Sequence, residues 1–194
     1  MAEAPPEPPV LSVLRAQHAP ASHLVRIDGL LALAQQNPAC VGLALVGSYA
    51  QGRGDRVSDL DLVAFVRDAD ARDFLRSADA VLDNGELLHS YARMEDAGRA
   101  FRKLVYLDFA SCELHVFALP TTFVLRRPYL ALWDPQGILA TLVGEGAPIR
   151  HEDFEAYPDG DDGLVWELVD CIKWLRRGRT GLAKDYLRKL AARL

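Results

Sequence analysis

The sequence predicts an α/β fold: a short mixed β-sheet flanked by helices, followed by a mostly helical C-terminal unit. Three observations predict it. Two apolar runs of strand length, residues 41–46 and 60–66, are separated by a short polar segment. Helical periodicity lies on both sides of that pair, over residues 22–36 and 68–82. A long periodic segment, residues 164–177, ends at Gly178, and Thr180 can cap one more helix running to residue 194.

The chain of 194 residues is half hydrophobic, enough for one good core and a small second unit. A net charge of −5 argues against a general nucleic-acid binder. The three cysteines, Cys40, Cys112 and Cys171, are too few and too far apart for a disulfide framework or a zinc motif. The five histidines do not cluster at ligand spacing either. No apolar run approaches the roughly 18 residues of a membrane span, and the N-terminus lacks the charged start and apolar centre of a signal peptide. These features predict a soluble, cytoplasmic protein with no membrane partner and no specific nucleic-acid partner.

In chain order, residues 1–20 read as a disordered N-terminal segment, proline-rich at first, with residues 10–17 able to add a helical turn. Residues 21–125 read as the core unit. Its first helix is capped by Ser22, carries Leu24, Ile27, Leu31 and Ala34 on one side, and stops at Asn37-Pro38. The strand pair follows. The next helix turns Phe74, Leu75, Ala78 and Leu82 inward, and Asn84-Gly85 forms a turn. Residues 87–91 read as a short strand, and residues 93–100 are ambiguous. Residues 104–109 and 113–119 read as a hairpin joined at Ala110-Ser111-Cys112. Residues 126–194 read as the helical unit, with a further strand over 129–133. Residues 152–162 form an acidic, flexible, solvated loop in this reading. In the long helix, Leu164, Leu168, Cys171, Ile172 and Leu175 form the inward stripe.

The chemistry concentrates in Val46-Gly47-Ser48 and Ser58-Asp59-Leu60-Asp61-Leu62. On a strand, Asp59 and Asp61 point to one side with Cα atoms about 6.6 Å apart, and Leu60 and Leu62 point to the other. Two like charges about 4 Å apart repel by roughly 4 kcal/mol at an effective dielectric of 20. A cation between them reverses that sign, and paired hard oxygens suit Mg²⁺, which takes one or two carboxylates and leaves the rest to water and phosphate. Gly47 lets a phosphate approach the backbone, and Ser48 can donate its hydroxyl or cap a helix.

An apolar strand ending in Gly-Ser, a short polar piece, then Asp-x-Asp opening the next strand resembles the polymerase-beta-like nucleotidyltransferase superfamily. Within it, VGSYAQGRGDRVSDLDLVAFV is most similar to the small bacterial enzymes that adenylylate aminoglycoside and lincosamide antibiotics. The resemblance implies a nucleotidyltransferase fold and a third carboxylate on a later strand. Glu113 in Glu113-Leu114-His115-Val116 fits that position, where many relatives have aspartate, and Asp108 is the competitor. It also implies ATP as nucleotide donor, Mg²⁺ held by Asp59, Asp61 and Glu113, and transfer of AMP to a hydroxyl of a small-molecule acceptor such as an aminoglycoside-like antibiotic. Glu113 would take the acceptor's proton or share a second metal. Gly47, Ser48, Ser58 and Lys173 are the candidate nucleotide-binding residues. Ser58 is equally a turn residue, and Lys173 reads first as a surface lysine. Other functions compatible with the resemblance are adenylylation of a protein, as in toxin–antitoxin pairs, and a non-catalytic nucleotide-binding module. The helical part is shorter than in most antibiotic-modifying relatives.

Overall fold

The computed structural model describes residues 8–67, 70–83, 87–96, 98–146 and 150–194. Helix α1 (Pro9–Ala16) starts on a proline, whose missing N–H costs nothing in a first turn. Its Val10, Leu11 and Leu14 lie in the main core. The expected disorder of residues 1–20 therefore gives way, from residue 9, to a packed helix, because three apolar side chains share one face. Helix α2 (Ala21–Gln36) buries Ile27, Leu30, Leu31 and Ala34. Ser22 lies inside its first turn and is not the cap; Pro20 precedes the helix. The Asn37 side-chain oxygen accepts the Ala39 N–H and turns the chain into β1 (Cys40–Leu45).

A single helical turn, α3 (Gly47–Ala50), and a loop lead to β2 (Leu60–Val66). Helix α4 (Ala71–Leu82) is capped by Asp70, whose carboxylate accepts the Arg72 N–H, and turns Phe74, Leu75, Ala78 and Leu82 inward as expected. The expected turn at Asn84-Gly85 lies outside the described residues. Strand β3 (Leu87–Asp96) is longer than the short strand expected there, absorbs the first half of the ambiguous stretch and pairs with β4 (Arg99–Tyr106). β4 turns into β5 (Ser111–Ala118) at residues 107–110, earlier than expected. The Asp108 carboxylate accepts the Ala110 N–H, and Phe109 takes a left-handed conformation, so the turn forms there.

Strand β6 (Leu130–Trp133), helix α5 (Ile138–Thr141) and a 3₁₀ turn (His151–Asp153) come next. Helices α6 (Asp161–Arg176) and α7 (Thr180–Ala191) complete the chain. Thr180 is the first residue of α7 and not its cap. The sheet order is β3-β4-β5-β2-β1-β6. Only β2 and β5 run parallel, so the sheet is mixed, with helices against it, and the α/β fold class stands. β6, which lies beyond residue 125, is the edge strand on β1.

Alternation along the strands gives the sheet two different faces. Leu60, Leu62, Ala64 and Val66 of β2, Cys112, Leu114 and Val116 of β5, and Leu104 of β4 fill the main core together with α1, α2 and α4. Asp61, Val63, Phe65, Glu113, His115 and Phe117 therefore face the other way. α6 packs there, with Trp166 and Val169 against Tyr91, Phe101 and Val105, while its Cys171 and Trp174 join Tyr186 and Leu190 of α7 in a separate cluster.

The inward stripe expected on α6 is corrected. Of its five residues only Cys171 is buried; Leu168, Ile172 and Leu175 are 41%, 39% and 47% exposed. The two tryptophans offer more apolar area than leucines do. The polar residues on their side also find partners: the Glu167 carboxylate accepts the Tyr157 N–H and the Tyr186 hydroxyl. Among the described residues no helix is long and apolar enough to cross a membrane.

Candidate active site

Strand register assembles the site. Asp61 stands opposite Glu113 across the parallel β2–β5 pair, Glu113 opposite Lys103, and Lys103 opposite Tyr91. Four strands thus place an acid, a second acid, a lysine and a tyrosine in one row on the face that α6 partly covers. Asp108 is not in this row, since its carboxylate closes the exposed β4–β5 turn.

Gly47 sits directly against Asp61. Its φ of +68° disfavours any other residue, and a Cβ built on it would overlap Asp61 Oδ2. The glycine is therefore required for both conformation and space. Asp61 receives no side-chain hydrogen bond among the described residues. Burial, reinforced by the nearby Asp59 and Glu113 charges, pushes its carboxyl well above the usual carboxylate range.

Its two neighbours are occupied. Asp59 Oδ1 accepts from the Ser111 hydroxyl and from Lys173 Nζ. Lys173 also donates to Asp170 Oδ1 at 3.1 Å. Lys173 is buried, which corrects the plain reading of it as a surface lysine. Burial alone would lower its pKa, but Asp59 and Asp170 outweigh that and hold it protonated. Asp170 is raised, first by burial and then by Asp59.

Glu113 Oε1 bonds to His115 Nε2 at 2.7 Å and pairs with Lys103 Nζ at 3.4 Å. Burial pushes its carboxyl up, but His115 and Lys103 together bring it down to about 2. Lys103 lies within 6.0 Å of the Tyr91, Phe101 and Trp166 ring centroids, and Lys173 lies 5.1 Å from the Trp166 centroid.

Asp159 belongs to the segment expected to be a solvated acidic loop. It accepts the Tyr91 hydroxyl at 2.9 Å and pairs with Arg93 at 3.4 Å and Lys103 at 3.9 Å. The sequence offers Asp159 only as one member of an acidic run, and it does not single out Tyr91, Lys103, Trp166 or Asp170. The Asp170-x-x-Lys173 spacing, which puts both on one helical face, was the one local signal for part of this set.

Ser58 is buried in a clamp. Its hydroxyl donates to Asp55 Oδ1, and it accepts from the Asp55 N–H and from Arg177 Nη2, each at 3.0 Å. Arg177 forks onto both Asp55 oxygens at 2.7 Å, and this hydrogen bonding lowers the Asp55 carboxyl to about 2. His23 Nε2 lies 3.1 Å from the Ser58 carbonyl. Ser58 thus ties the loop before Asp59 to α6 and α2. Ser48 is half-exposed, caps nothing, and its hydroxyl has no partner among the described residues. A single turn such as α3 has little macrodipole to offer a phosphate.

The donor set suits a hard divalent ion: Asp61 and Glu113 on adjoining strands and Asp59 just before the first of them, with Asp61 lacking a donor and reluctant to ionise. Yet no three His, Cys, Asp or Glu among the described residues stand close enough to hold a metal as the side chains lie. The positive charge beside Asp59 and Glu113 is that of Lys173 and Lys103.

No family model matches the sequence, and no curated protein matches it. A chain of the solved structure of the GLD-2/RNP-8 complex is similar over 55% of this chain and 41% of its own length, at 17% identity and a TM-score of 0.33. This chain therefore matches less than half the length of that one, and nothing about function follows from so low a score.

Proposed function

We propose that this chain is a nucleotidyltransferase that moves AMP from ATP to a hydroxyl of a small-molecule acceptor, with Mg²⁺ held by Asp59, Asp61 and Glu113. The observation that carries the proposal is the placement of an undonated Asp61 carboxylate between Gly47 and Glu113. A half-buried carboxylate beside two others gains from a cation that joins them. When bound, Mg²⁺ supplies positive charge to the phosphate oxygens and draws the three carboxylates together.

The chain's own residues account for the rest. Gly47 lets Asp61 sit against the backbone at the end of β1, and the free Ser48 hydroxyl beside it can donate to a phosphate. Lys173 is the candidate phosphate contact from α6, exchanging one anion, Asp59, for another. The acceptor hydroxyl attacks the α-phosphorus, the bond to pyrophosphate breaks, and the hydroxyl proton passes to the Glu113–His115 pair. Glu113 alone, ionised down to about pH 2, is a weak base, so its role is to orient His115 and the ion. The acids in the row and Asp159 give a negative wall that suits a polycationic acceptor such as an aminoglycoside.

The lysines favour a second reading. With Asp59 and Glu113 already paired to Lys173 and Lys103, the chain could bind nucleotide without turning it over. Incubation with α-labelled ATP, Mg²⁺ and panels of aminoglycosides, lincosamides or cell lysate separates these. Label on a drug supports the proposal. Label on a polypeptide shifts it to a protein acceptor, and retained ATP with no transfer supports the second reading.

A further inference from the structure

Helix α6 has two unlike long faces. The inner one carries Trp166 against the sheet, Trp174 against α7, and Lys173, which donates to Asp59 and to Asp170 on its own helix. The outer one carries Leu164, Val165, Leu168, Ile172 and Leu175. The last three are exposed; Leu164 and Val165, at the N-terminal end, are half-buried and also pack against the α7 and sheet clusters. At 100° per residue these five fall within one stripe. The exposed side carries no charge between Asp162 and Arg176. Neighbouring α7 shows the ordinary pattern instead, since its exposed positions include Lys184, Asp185, Arg188 and Lys189. A run of apolar side chains over nearly the whole length of a helix is more than the scattered exposure normal on a surface.

We propose that this face of α6 is the contact between two copies of the chain, packed antiparallel about a two-fold axis near Leu168. The charges at its ends select that occupant. Asp161 and Asp162 mark the N-terminal end of the stripe, and Arg176, followed by Arg179, marks the C-terminal end. An antiparallel copy places Ile172 against Val165 of the partner subunit and Arg176 against Asp161 of the partner subunit, twice over by symmetry. The same arrangement sets each helix N-terminus beside the other's C-terminus, which is favourable for both dipoles. A parallel copy would set acid against acid and base against base. A stable interface buries about 800 Å² per partner. One helix face sits at the low end of that scale, so the dimer dissociates on dilution. The inference does not depend on the transferase reading, although α6 also carries Lys173 on its inner face.

Sedimentation velocity of the full chain over a concentration series tests it. The expected result is a concentration-dependent rise from the 21.4 kDa chain mass toward twice that value. Leu168→Glu with Ile172→Glu, both at exposed positions, should stay monomeric with an unchanged melting temperature. Asp161→Lys with Asp162→Lys, and separately Arg176→Glu, should each weaken self-association about tenfold or more. Mixing these two variants should restore it, because every facing pair is again of opposite sign. A wild-type chain that is monomeric at the highest concentration reached, a dimer indifferent to the paired glutamates, or a mixture no tighter than its components would each overturn the proposal.

Discussion

The two faces of the one sheet are built from the same strands to opposite ends. On the back, Leu60, Leu62, Ala64 and Val66 alternate into a core closed by three helices. On the front, the intervening Asp61 and the facing Glu113 lie in a row of charge that α6 covers only in part. Strand alternation thus assigns stability to one set of residues and chemistry to the residues between them, and a shift of one position would exchange the two. The back face buries one charge, the Arg26 guanidinium, which lies 3.3 Å from the Tyr106 ring centroid and finds no hydrogen-bond acceptor among the described residues. The front face holds several and balances most of them with two lysines.

The largest expected effect comes from the one front-face acid left without a donor. Asp61→Asn should cut nucleotidyl transfer by on the order of 10³-fold or more. It should also raise the melting temperature at neutral pH. Asp61 is raised in the folded chain, so the unfolded chain ionises first and stability falls as pH rises from about 4. Asparagine removes that loss, and the difference between the proteins should vanish below about pH 4. Melting curves of both across pH check this.

Next is the cation that balances its neighbour. Lys173→Met leaves the half-buried Asp59 and Asp170 without their ammonium and should cost about 3 kcal/mol in urea denaturation. Added Mg²⁺ should recover more stability in this variant than in the wild type. The back face provides the contrast. Leu114→Ala, at a fully buried position, should cost about 2–5 kcal/mol by leaving a cavity. At a temperature where it remains folded, transfer per folded molecule should be close to wild type.

A smaller, pH-dependent effect joins the two faces. His23 lies on α2 and is lowered from 6.5 to about 4, chiefly by burial, with its bond to the Ser58 carbonyl opposing. The unfolded chain therefore takes up the proton first as pH falls. Stability should drop by about 3 kcal/mol between pH 6.5 and 4. His23→Gln should flatten that slope in urea titrations run at several pH values.

The residues most legible in the sequence were those whose neighbours are close in the chain. Asp59, Asp61 and Gly47 lie in one strand–turn–strand unit, and the acid-apolar-His pattern of Glu113 marks the face that register confirms it shares with Asp61. Lys173 was named, but its partner Asp59 is 114 residues away, and no periodicity conveys a pairing at that distance. Lys103 was hidden for the same reason, and Asp159 was legible as an acid in its run but not its pairing with Tyr91, Arg93 and Lys103. The α6 stripe was misjudged because that helix is apolar on two sides. Periodicity reports that a face exists, but the area buried by Trp166 and Trp174 decided which one turned inward. The β4–β5 turn moved because a local bond from Asp108 competes with strand pairing, which hydropathy does not register.

The most direct test of the front face is calorimetric titration with a non-hydrolysable ATP analogue, in the presence and absence of Mn²⁺, on the wild type and on Asp61→Asn. The arrangement predicts that the ion strengthens nucleotide binding to the wild type and that this dependence disappears in the variant. Nucleotide binding that is absent, or equally sensitive to the ion in both proteins, would contradict the assignment of Asp61 as the open ligand.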